Sequence, residues 1–153
     1  MINFRRILHP TDFSDNSKEA FEYAVGLAEK HGAEMVLLHV VERFDYAPPE
    51  YYMSAAELGG EIERRIDESR KHMDGMAAAI KKVKVQVAVV EGKPFVEIIR
   101  YAKEQGIDLI VLGTHGRTGL AHILIGSTAE KVVRKAPCPV LTIRGKGMEF
   151  ENI

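Results

Sequence analysis

Residues 107–136 read IDLIVLGTHGRTGLAHILIGSTAEKVVRKA, and their reading decides the fold. The stretch opens on an apolar run, residues 107–112, interrupted by Asp108 alone. Glycines then punctuate it at Gly113, Gly116, Gly119 and Gly126, and Ser127-Thr128 lead into an amphipathic segment. Ala129, Val132, Val133 and Ala136 stand at i, i+3, i+4 and i+7, one face of a helix. The order is therefore strand, glycine loop, helix. A helix N-terminus carries unpaired N–H groups and the positive end of the helix dipole. Glycine lets the backbone turn freely and approach a ligand closely. Such a junction cradles an anion, and phosphate suits it best.

The segments on either side continue the alternation. Residues 5–9 form a short strand candidate stopped by Pro10, and residues 10–17, PTDFSDNS, are dense in turn and cap residues. A helix follows, with Phe21, Ala24, Val25 and Ala28 on its apolar face and Gly32 as its stop. Residues 33–41, AEMVLLHVV, are nearly continuous in apolar character, as in a strand covered on both faces. Residues 44–60 show no clean period and hold Pro48-Pro49 and four aromatics, so they read as a long surface excursion. A lid or partner contact is the sharper alternative there. A helix returns over residues 61–80, striped by Ile62, Ile66, Met73, Met76, Ala77 and Ile80. Val83, Val85, Val87 and Val89 alternate with less apolar residues, the period of an edge strand. Gly92-Lys93-Pro94 turns the chain into a helix striped by Phe95, Ile98, Ile99 and Ala102 and ended by Gly106. After the glycine stretch, Pro137 and Pro139 flank a last strand at an edge, residues 140–144.

Five strands and four helices in this order predict an α/β fold: one open parallel sheet, order 3-2-1-4-5, with helices on both faces. One domain covers residues 1–145, and residues 146–153 form a C-terminal tail. Ligands of such sheets bind beyond the carboxyl ends of the strands where the order reverses, here between strands 1 and 4. Pro10, Thr11 and Asp12 end strand 1, and Leu112, Gly113, Thr114 and His115 end strand 4, so the two segments should share one crevice. A dinucleotide-binding Rossmann domain places G-x-G-x-x-G after its first strand, whereas these glycines follow the fourth. No G-x-x-x-x-G-K-[ST] occurs, which excludes a P-loop.

The totals narrow the function classes. Lys plus Arg number 21 against 22 for Asp plus Glu, a balance that argues against a general nucleic-acid or membrane-surface binder. Cys138 is the single cysteine, so no disulfide framework exists. Neither a leader-like apolar stretch nor a membrane-length run is present, and the expected location is the cytoplasm.

From Gly113 to Ser127 the spacing is G-x-x-G, nine residues, then G-S. With ILHPTDFS at residues 7–14, LLHVVE at 37–42 and PCPVLTIR at 137–144, the pattern resembles the universal stress protein family in its ATP-binding branch. The resemblance implies a five-stranded fold of the adenine nucleotide alpha-hydrolase type. It implies ATP as ligand, with Mg2+ or Mn2+ carried by the nucleotide, and little hydrolysis without help. It also implies a homodimer joined through the last strand, residues 140–144, from Val140 to Arg144. By position, Gly113 and Gly116 match the glycines that pass over ribose and phosphates. Gly126 and Ser127 match the phosphate-binding pair, and Thr128 extends it. Asp12 matches the acidic residue near the nucleoside, and Val40 or Val41 the position beside adenine.

Plainer readings stand beside these. Asp12 suits a turn, and Ser127 and Thr128 suit a helix cap, which uses the same groups as phosphate binding. Arg117 could meet phosphate oxygens or solvent, and His115 is a weak acid–base candidate. His9 and His39 fit packed core histidines better than a metal pair, and Cys138 fits a small buried or edge residue. No catalytic or metal-binding residue is assigned. The expected function is a nucleotide-dependent regulatory module of the stress response whose downstream protein partner the sequence does not name. The rival classes are a slow ATPase or nucleotidyl- or phosphoryl-transfer enzyme, and a dimer that binds no nucleotide.

Overall fold

The computed structural model describes residues 1–43, 54–115 and 125–145. Gly116, Arg117, Gly119, the aromatic part of the excursion and the tail at 146–153 lie outside the described residues. The elements are β1 (Arg6–Pro10), α1 (Asp15–His31), β2 (Glu34–Val41), α2 (Ala55–Ala79), β3 (Val85–Glu91), α3 (Pro94–Glu104), β4 (Leu109–Gly113), α4 (Ser127–Lys135) and β5 (Val140–Ile143). All strand pairs are parallel, in the order β3-β2-β1-β4-β5. This is the predicted sheet, and β3 and β5 are its edges. Among the described residues, no helix is long and apolar enough to cross a membrane.

The continuous apolar strands are explained by a core on each face. Ile7, Met35, Leu37, Leu109 and Val111 point to one face, where they pack with Ala20, Ala24 and Ala28 of α1 and Met73 of α2. Their neighbours Leu8, Val36, Leu38, Ile110 and Leu112 point to the other, against Ile98 and Ala102 of α3 and Ala129 and Val132 of α4. Side chains alternate across a strand, so a strand between two layers must be apolar at every position. The small alanines of α1 let that helix lie close to the sheet. Gly32 ends α1 in the left-handed conformation, φ 64°, and its N–H returns to the Ala28 and Glu29 carbonyls.

One boundary departs from the sequence reading. Residues 55–60 belong to α2 rather than to an excursion that runs to residue 60. Ser54 and Glu57 form a reciprocal capping box there: the Glu57 N–H reaches the Ser54 hydroxyl and the Glu57 carboxylate accepts from the Ser54 N–H. That local signal starts the helix despite Gly59 and Gly60 and the absence of an apolar stripe in its first turns.

The junction of β1 with β4 is short. Residue partners are Ile7↔Leu109 and Leu8↔Ile110, and the pairing then stops. Parallel-ladder geometry would next ask the N–H of residue 10 to donate to the Val111 carbonyl. Residue 10 is proline and has no N–H. The His9 ring takes the vacant acceptor instead, with Nδ1 donating to Val111 O at 2.9 Å. On its other side β1 continues to Pro10, paired with Leu38, and Thr11 N–H donates to Leu38 O at 2.8 Å. Pro10 is thus the last residue of β1, because the side facing β2 asks no donor of it.

His9 is fully buried, lies against the Phe21 ring at 5.8 Å, and its Nε2 has no hydrogen-bond partner. Burial pushes its pKa from 6.5 down to about 4, against the opposing pull of the Val111 carbonyl and the Asp12 carboxylate. Below pH 6.5 the unfolded chain takes up a proton that the folded chain refuses, so this contribution is intact above 6.5 and lost towards pH 4. Denaturant unfolding across that window should show a loss of about 3 kcal/mol. In His9→Gln, which keeps a donor but does not titrate, that part of the slope should vanish.

Candidate functional site

A cleft of about 300 Å³ opens at the carboxyl ends of the strands, where β1 and β4 part. This is within the range of small-molecule sites. Its walls come from the β1–α1 turn, the end of β2, the end of β4 and the starts of α3 and α4.

The β1–α1 turn is held by its own side chains. Thr11 is buried, its hydroxyl accepting from Ser17 Oγ at 2.7 Å and from the Phe13 N–H at 3.1 Å. Asp12 Oδ1 accepts from the Ser14 N–H at 3.0 Å, and Ser14 Oγ caps α1 by accepting from the Ser17 N–H at 3.3 Å. Asp12 is therefore a turn residue and a residue of the cleft wall at once. Phe13 has φ 65°, a left-handed conformation that costs a non-glycine residue about 1–2 kcal/mol. It is kept there between two imidazoles, His39 and His72, each stacked with its centroid 4.4 Å away. Through Phe13 the turn is tied to both β2 and α2.

The end of β2 separates two neighbours. Val40 lines the cleft, whereas Val41 is buried outside its wall. His39 donates from Nδ1 to the Thr11 carbonyl at 2.8 Å, which fixes the strand end against the turn. His9 and His39 are both packed core histidines, each committed to a main-chain carbonyl. Among the described residues, no group of three or more His, Cys, Asp or Glu side chains is placed to hold a metal ion.

From β4 come Leu112, Gly113 and His115; Thr114, also predicted, is buried outside the cleft wall. Thr114 instead organises the loop: its N–H donates to Ile143 O at 2.9 Å, and its carbonyl accepts from the Gly126 N–H at 2.6 Å. That second bond joins the two ends of the glycine segment. His115 is buried, its Nδ1 2.9 Å from the Thr114 hydroxyl. Gly126 is the N-cap of α4 and supplies no side-chain cap, and Gly126, Ser127 and Thr128 all line the cleft. The first turn of α4 thus borders the cleft that Asp12 also lines. Glu130 forms an exposed ion pair with Arg134 at 3.0 Å on the outer side of α4.

The cleft also contains residues that the sequence reading passed over: Ser17, Leu38, His39, Glu42, Arg65, Pro94, Ile98 and Ala129. Leu38, Ile98 and Ala129 were visible as core positions, and the ends of their elements make them wall as well. Arg65 had a sharper signal, since it sits between Ile62 and Ile66 on the stripe of α2. Cys138 is half-buried against the α3–α4 core; burial, with the Asp108 carboxylate, pushes its thiol up and away from reactivity.

The model of the universal stress protein family matches residues 3–144. Universal stress protein MJ0577 of Methanocaldococcus jannaschii is 30% identical over 95% of this chain and 98% of its own. Its solved structure superposes with a TM-score of 0.81, covering 95% of this chain and 99% of that one. Universal stress protein UspA of Lactobacillus plantarum gives 0.82 at 31% identity, covering 94% and 100%. A universal stress protein solved in complex with cAMP shares the fold at 22% identity, with a TM-score of 0.66 and coverage of 94% and 98%.

Gly113 has a packing duty of its own. A Cβ there would stand 3.0 Å from the Asn16 carbonyl oxygen and 3.1 Å from its carbon, in the first turn of α1. Both are main-chain atoms and cannot swing away. Gly113→Ala should therefore lower stability by about 1–3 kcal/mol with no ligand present, read as a lower denaturant midpoint. An unchanged midpoint would mean that α1 yields at no cost.

Proposed function

This chain belongs to the universal stress protein family, and on that premise we propose that its cleft binds ATP and that the protein is a nucleotide-dependent regulatory module. The observation that carries the reading is the meeting of an uncapped helix start, Gly126-Ser127-Thr128, with Asp12 and Val40 around one cleft. The N–H groups of the first turn of α4 and the Ser127 and Thr128 hydroxyls suit phosphate. The Asp12 carboxylate suits ribose hydroxyls, and Val40, Leu38 and Ile98 offer apolar surface to a base. Gly113 and His115 border the ribose and phosphates, and Gly116 and Arg117 of the same motif would complete that side. The proposed Mg2+ or Mn2+ travels with the phosphates.

The reading is of a holder of nucleotide rather than a consumer of it. Glu130, the carboxylate nearest in sequence to the phosphate end, is spent on Arg134. We extend the proposal to a homodimer through β5, an edge strand whose Leu141 is exposed, and to action in the cytoplasm.

Calorimetric titration should give saturable ATP binding, weakened at least tenfold in Gly126→Val, whose side chain fills the approach to the α4 amides. No heat of binding in the wild type would sink the reading. Phosphate release should not exceed that of a heat-killed control. Light scattering at micromolar concentration should give twice the chain mass; a monomer mass would refute the dimer.

A further inference from the structure

α2 carries its charges in two ways. Arg64 is engaged on the outer surface with Glu61 and Glu68. Arg65 is half-buried on the stripe that continues into Met73, Met76 and Ala77 on the sheet. Its Nη1 donates to the Glu42 carbonyl at 3.0 Å, one residue beyond β2, and the side chain lines the cleft with Val40 and Glu42. A main-chain acceptor therefore pins a guanidinium at the lip of the cleft, on the side away from α4.

The strand order fixes what that side can meet. β2 and β4 are separated by β1, and two ladder spacings put their ends about 10 Å apart. A ligand whose phosphates sit on the start of α4 directs its other end towards β2 and Arg65. The chemistry required of Arg65 is then that of a base, not of a phosphate. Guanidinium is planar and weakly hydrated, and it stacks well on aromatic faces, unlike the ammonium of lysine.

We propose that Arg65 is a base-binding residue that stacks over one face of the nucleobase, while Val40 and Ile98 form the apolar wall of the same slot. This rests on the nucleotide reading of the cleft. The bond to Glu42 O holds the guanidinium in place before the ligand arrives, so little side-chain entropy remains to be lost on binding. The ligand class is a nucleotide with a phosphate chain.

The test is calorimetric titration of wild type, Arg65→Ala, Arg65→Gln and Arg65→Lys with two probes, Mg-ATP and inorganic tripolyphosphate. In Arg65→Ala and Arg65→Gln, affinity for ATP should fall on the order of tenfold, while tripolyphosphate binds as in the wild type. Arg65→Lys should recover little of the loss, because it restores charge without a plane. Tripolyphosphate binding that falls alongside ATP, with rescue by lysine, would overturn the proposal in favour of a phosphate contact. ATP binding unchanged in both Arg65→Ala and Arg65→Gln, beside a wild type that binds, would overturn this proposal and leave the nucleotide reading standing. A wild type that binds neither probe would overturn both. Circular dichroism identical to that of the wild type qualifies each variant for the comparison.

Discussion

The missing N–H of Pro10 sets the site. Two parallel strands at the centre of a sheet would ordinarily stay laddered to their ends, and their loops would leave side by side. Here the ladder between β1 and β4 ends after Leu8↔Ile110, because the next donor does not exist. The His9 imidazole satisfies the Val111 carbonyl that proline leaves empty. The strands remain joined at the base of the seam and separate above it. β1 is then held towards β2 through Thr11 and His39, while β4 is held towards β5 through Thr114. The cleft is the gap between these two allegiances.

Three helix starts border that gap, and they differ in what they offer. α1 is closed by its own turn, with Ser14 as cap and Asp12 behind it. α3 opens with Pro94, which removes an N–H. α4 opens with Gly126 and, among the described residues, has no side-chain cap. The helix start without a capping side chain thus borders one side of the cleft, and Asp12, Val40 and Arg65 line the rest of it.

The sheet order and most element ends could be read from local patterns, because those patterns are local in cause. Continuous apolar runs at residues 33–41 and 107–112 report burial on both faces, and Gly32 reports a left-handed stop. What escaped depends on neighbours distant in the chain. Val40 and Val41 are chemically alike, and only the folded strand end decides which meets the cleft. Arg65 carries no assignment in the sequence analysis, although its place between Ile62 and Ile66 marks it as turned inward. The start of α2 was hidden for another reason: Ser54 and Glu57 are a true cap signal, but Gly59 and Gly60 follow it and no apolar stripe confirms it.

Gly113 is read as part of a ligand loop, yet its missing side chain is also demanded by the backbone of Asn16. Asn16 lies equally against Gly145, beyond β5, so one residue of α1 rests between two glycines. The two demands on Gly113 would part company in evolution. A descendant that abandoned its nucleotide would still be obliged to retain glycine at 113 to let α1 settle on the sheet. Among such chains, a glycine kept at 113 would not by itself record whether a ligand is still being selected for.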